Sequence, residues 1–125
     1  MAGKIFDMAE AERALVYIGR VVDDIVGCYV DITKIKGEIE RIPVGNRNNG
    51  LDKRYEEKIA ELGDFVGELM AVGVDLVDIE RGIVNFPTRH TEDVGLFLRF
   101  EKGLSGVKWH HDPFLGSRKS LMIED

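Results

Sequence analysis

A single cysteine, Cys28, stands in 125 residues, so the chain can form neither an intrachain disulfide nor a cysteine-based zinc site. Its apolar neighbours predict a buried thiol. There is no basic excess: the net charge is −6, which argues against a nucleic-acid surface. No uninterrupted apolar run approaches membrane-spanning length, and the N-terminal MAGKIFDMAE has no long apolar core. The expectation is a cytoplasmic protein with no membrane association. No histidine falls on either helical stretch, which excludes the Glu-x-x-His pairs of a carboxylate-bridged metal centre in a helical bundle. Ser105, Ser117 and Ser120 lack the strand–turn–helix setting of a nucleophile elbow. Gly103 and Gly106 loosely resemble a phosphate-cradling loop, but no helix follows to offer its N-terminus. No internal repeat is visible.

What is present is helical periodicity, then strand alternation. Asp7 and Glu10 have capping-box spacing, and Phe6 is placed to close a hydrophobic staple with Ala11. From there Leu15, Ile18, Val22, Ile25, Tyr29, Ile32, Ile35, Ile39 and Ile42 form one apolar stripe, predicting a helix over 7–42 that Pro43 ends. Gly19, Gly27 and Gly37 weaken it by roughly 1 kcal/mol each and allow a break near Gly37. PVGNRNNG, residues 43–50, reads as a flexible loop. Leu51, Tyr55, Ile59, Leu62, Val66 and Leu69 mark a second helix over 51–73, with Gly73 as a left-handed cap. At 1.5 Å per residue the helices run about 52 and 33 Å. Ile35, Ile39 and Ile42 are therefore short of partners unless the first helix breaks or a second subunit covers them. Ala60, Gly63, Gly67 and Ala71 form a small-residue stripe on the second helix, read first as packing against the sheet or the first helix and second as a homodimer contact.

Residues 74–112 predict a β-meander. Val74–Ile79 and Ile83–Phe86 make a hairpin around Glu80-Arg81-Gly82. Val94, Leu96, Leu98 and Phe100 alternate with Gly95, Phe97, Arg99 and Glu101, the signature of a half-buried strand. Val107–His111 pairs with it across a Gly103–Gly106 turn. Residues 113–125 are left as a C-terminal tail. The expected architecture is one α+β domain, a long antiparallel helical hairpin packed on an antiparallel sheet of three to four strands.

Trp109-His110-His111-Asp112 concentrates the candidate chemistry. Imidazole and carboxylate suggest a metal ion, but neighbours on a strand point to opposite faces, so His110 and His111 would not share one ion. His110 and Asp112 share a face, with His90, Glu80 or Asp78 as further candidate ligands. In Phe114-Leu115-Gly116-Ser117-Arg118, Arg118 suits a carboxylate or phosphate through two parallel hydrogen bonds, but an internal ion pair with Asp78, Glu80 or Asp112 is the favoured reading.

Val77-Asp78-Ile79-Glu80-Arg81-Gly82-Ile83-Val84-Asn85-Phe86-Pro87, followed by a strand like Val94–Phe100, then Trp109-His110 and a Phe-x-Gly…Arg ending, resembles the prokaryotic proteins grouped as domain of unknown function family 2203. The resemblance spans most of the chain and implies the same order of elements. Asn85 stands where the family pattern has an aspartate, and Ser117 separates Gly116 from Arg118. The resemblance implies no reaction.

Three functional readings follow. The first is a non-enzymatic interaction or assembly module that self-associates, a dimer being favoured. The second is a small-molecule or metal-binding domain, an enzyme being within its scope, with His110, Asp112 and Arg118 converging near the Glu80-Arg81-Gly82 turn and with Asp78 and Trp109 beside them. Nucleic-acid binding through Arg99, Lys102, Lys108, Arg118 and Lys119 ranks third. No substrate, ligand or cofactor is legible.

Overall fold

A computed structural model describes residues 4–43, 45 and 49–112. Its first helix, α1, spans Met8–Glu40. The Asp7 carboxylate accepts from the Glu10 N–H at 2.8 Å, and Glu10 accepts in turn from the Asp7 N–H at 3.0 Å. This reciprocal cap satisfies two otherwise unpartnered donors. Phe6 and Ala11 are buried in the same core cluster. Arg41 and Ile42 donate to Glu38 and Ile39 as the helix ends, and Pro43 cannot extend it.

α1 does not break at Gly37. The second helix, α2, spans Asn49–Val72 and runs back along α1. The Cys28 thiol donates to the Lys58 carbonyl at 3.3 Å and Lys58 meets Asp31 at 3.4 Å, a register that brings Ile35 level with the first turns of α2. Ile32 and Ile35 are accordingly 6% and 2% exposed within one chain, while Ile39 and Ile42 are half-buried. Up to Ile35, then, no second subunit is needed to cover the stripe. At its other end α2 stops at Gly73 (φ +94°), whose N–H donates to Leu69 and Met70.

The small-residue stripe departs from its first reading. Ala60, Gly63, Gly67 and Ala71 are all exposed, because Leu62, Phe65, Val66 and Leu69 supply the inward face of α2.

Four strands follow as an antiparallel meander in sequence order: β1 Asp75–Asp78, β2 Ile83–Pro87, β3 Leu96–Glu101 and β4 Lys108–His111. Val94 lies outside β3. Residues Thr91–Val94 form a short helical turn, α3, closed by Gly95 at φ +69°, and the Thr91 hydroxyl donates to the Leu96 carbonyl at 2.8 Å. Val94 is therefore exposed. Thus α1 and α2 cover one face of the sheet through Leu76, Val84, Phe86, Leu98 and Phe100. Each fully buried aliphatic or aromatic side chain there contributes about 1.5–3 kcal/mol. Phe6 stands edge-on to Phe86 at 5.1 Å, held by its N–H donating to the Pro87 carbonyl at 2.8 Å.

Candidate functional site

The face of the sheet turned away from the helices is assembled by register. Asp75 pairs with Asn85, Asn85 with Arg99, and Arg99 with Lys108. Because residues directly opposite in antiparallel strands share a face, these four side chains form one row across all four strands. The adjacent row holds Pro87, Phe97 and His110. Asn85 is only 7% exposed, and its Oδ1 accepts from Arg99 Nε at 2.8 Å. Burial and the neighbouring Arg99 charge hold the His110 imidazole below its ordinary pKa. Arg99, Glu101, Leu104, Gly106, Lys108, Trp109 and His110 line a hollow of ≈ 110 Å³.

The candidates from the sequence are scattered over this frame. His110 faces the polar row, whereas His111 projects from the other side of β4 and is exposed. Asp112 follows β4, its N–H donating to the Gly95 carbonyl at 2.8 Å. Trp109 is exposed beside Phe6, Asp7, Glu10 and His90. His90 stands before α3 with Nδ1 3.7 Å from Asp93. Asp78 accepts from the Arg81 N–H at 3.0 Å and so braces the β1–β2 turn; Glu80 on that turn is exposed and borders a groove with Tyr29 and Lys34 of α1. That turn meets Glu101 and Lys102, whereas His110 lies opposite Phe97. Four residues of β3 separate the two, about 13 Å, so His110 and Asp112 do not converge with Glu80. Arg118 lies outside the described residues. Among those residues no three His, Cys, Asp or Glu side chains gather closely enough to hold a metal ion.

Residues that sequence reasoning passed over matter more here: Asp75, Asn85 as a hydrogen-bond partner, and Arg99 as a member of a row. Of the basic patch, Lys102 is taken up by Asp23 of α1 at 2.8 Å. At the Gly103–Gly106 turn the Glu12 carboxylate comes within 3.2 Å of where a Gly106 Cβ would stand, an acidic neighbour that no phosphate-cradling loop would place there.

Asp75 also borders a groove of ≈ 320 Å³ with Lys4, Met70, Arg89 and Glu92. Desolvation there raises its carboxyl above the usual range. A carboxyl whose folded pKa exceeds its unfolded pKa holds its proton more tightly when folded. The resulting stability is complete below the unfolded value and is lost as pH rises from about 4 through the folded one. Asp75→Asn is thus expected to raise the urea midpoint at pH 7 relative to wild type and to leave it unchanged at pH 3. Equal midpoints at pH 7 would contradict this.

Fold and site together define a two-layer α+β domain: a helical hairpin on a four-stranded meander, with a polar row on the outward sheet face. The chain matches the family described as "Uncharacterized conserved protein (DUF2203)" over residues 4–120 and belongs to it. No curated protein and no solved structure matches. Nothing in the family description assigns an activity.

Proposed function

We propose that the chain is a single-domain, non-enzymatic interaction module that dimerises through α2. The observation that carries this reading is the outward α2 stripe. Ala60, Gly63, Gly67 and Ala71 face solvent, flanked by Ile59 and Met70 at 43% and 72% exposure. Beyond the backbone of its own helix, nothing lies within 4 Å of where a Cβ would stand at Gly63 or Gly67, so the monomer's packing does not require glycine at either place. Each glycine nevertheless weakens the helix by roughly 1 kcal/mol against alanine. Two copies crossing at Gly63 and Gly67 would gain close backbone approach, with Ile59 and Met70 covering the crossing; a two-fold axis supplies the same stripe from both sides. A second copy is the favoured partner for that reason, and nucleic acid is disfavoured by the acidic flank of Glu56, Glu57 and Asp64. A cytoplasmic location fits a lone cysteine buried against α2; among the described residues no helix is long and apolar enough to cross a membrane.

One helix face buries less than the roughly 800 Å² per partner of a lasting complex, so the dimer is expected to be concentration-dependent. Salt should strengthen it by screening the like charges along the flanks. Sedimentation up to tens of micromolar is expected to show wild type moving from monomer to dimer and Gly67→Leu staying monomeric, its added side chain occupying space that is open in the monomer. A monomeric wild type throughout, or unaltered dimerisation of Gly67→Leu, would remove the proposal.

A further inference from the structure

Arg99 and Lys108 stand directly opposite each other on β3 and β4, and like charges so placed destabilise a sheet. In a chain of net charge −6, neither side chain has a carboxylate within 4.0 Å among the described residues. The acids nearest to them are otherwise engaged or distant. Glu101, two residues along β3, lines the same hollow but its carboxylate is neutralised by Arg81 through contacts of 3.1, 3.2 and 3.3 Å. Asp75 lies two strands from Arg99, about 10 Å. Asp112 stands beyond His110 and makes its own interactions, and Glu12 approaches Gly106 from the helix side.

We propose that the outward sheet face binds the phosphate group of a small ligand, with Arg99 as the principal contact and Lys108 as the second cation. Asn85 makes this arrangement work. It is buried, and its Oδ1 fixes the guanidinium through Nε, leaving the two Nη groups to form parallel hydrogen bonds to an oxyanion. Being a neutral amide, it orients Arg99 without cancelling the charge. A phosphate seated between Arg99 and Lys108 relieves their mutual repulsion, and half-burial of Arg99 strengthens the attraction by lowering the local dielectric. The His110 imidazole adds a donor at the side, and Leu104 borders the hollow where the body of a phosphate ester would rest. This site is on the sheet, so it stands whether or not α2 dimerises.

The test is calorimetric titration of the full chain with inorganic phosphate and with phenyl phosphate against chloride at matched ionic strength, with variants at Arg99 and Asn85 reporting the location. Saturable binding is expected at millimolar concentration or tighter, weakened about tenfold or more, a difference near 1.4 kcal/mol, by Arg99→Gln and by Asn85→Asp. Asn85→Asp keeps the acceptor for Arg99 and should not lower the thermal midpoint, so its loss of binding separates charge cancellation from unfolding. Tighter phenyl phosphate binding identifies an ester as the ligand; equal affinities identify free phosphate. Absence of saturation, or binding indifferent to Asn85→Asp, would overturn the proposal.

Discussion

Gly82→Ala is expected to cost about 2–5 kcal/mol in urea unfolding, one of the largest losses available to a single methyl group in this chain. Gly82 sits at φ +67° in the β1–β2 turn, a left-handed conformation that penalises an L side chain by roughly 1–2 kcal/mol. Space adds to the penalty. A Cβ there would stand 2.9 Å from Lys102 Cβ and from Val22 Cγ1, and 3.0 Å from Val26 Cγ2. Val22 is fully buried and has nowhere to retreat, so overpacking adds about 1–3 kcal/mol. The Lys102 N–H donates to the Gly82 carbonyl at 2.9 Å, so a displaced turn would also loosen the β3 end of the sheet. A loss under about 1 kcal/mol, less than the backbone penalty alone, would mean that the turn does not press on α1 as described.

Replacing Gly19, Gly27, Gly63 and Gly67 together by alanine should have the opposite sign. All four lie in helix interiors with nothing beyond their own helix backbone within 4 Å of the added Cβ, so each exchange gains helix propensity without crowding. The sum is about 3–4 kcal/mol, measured by urea unfolding at dilution that keeps the chain monomeric. At concentrations favouring the dimer, the gain should shrink, because Gly63 and Gly67 lie at the proposed crossing. A gain under about 1 kcal/mol at high dilution, no more than a single exchange should give, would show that the four positions are not open in solution.

Local signals in the sequence were sufficient for the elements. The Asp7 and Glu10 box, the Ile18–Ile35 periodicity and the Gly82 turn each rest on residues a few positions apart, and each forms as the spacing predicts. Val94 shows where that logic stops. Its alternation with Leu96 and Leu98 was compatible with a strand, but Gly95 in the left-handed region and the Thr91 hydroxyl bonded to Leu96 turned the chain one residue later. The direction of the α2 small stripe was likewise underdetermined, since two adjacent helical stripes compete for the inside and the larger one won. The polar row was the least legible feature. Asp75, Asn85, Arg99 and Lys108 belong to four strands, and their alignment depends on three registers at once, one of them interrupted by a bulge between Leu76 and Asp78. Alternation within any one strand carries no information about its partner's offset.

The outer strands of the described sheet, β1 and β4, are each four residues long. β1 begins and ends on aspartate, and β4 begins on lysine. Brevity and charge at an edge deny foreign strands a template, and the bulge beside Val77 twists the β1 margin further from flatness. Strand addition is therefore disfavoured at both margins of the described sheet, and assemblies of this chain are expected to close through faces instead of extending through those edges.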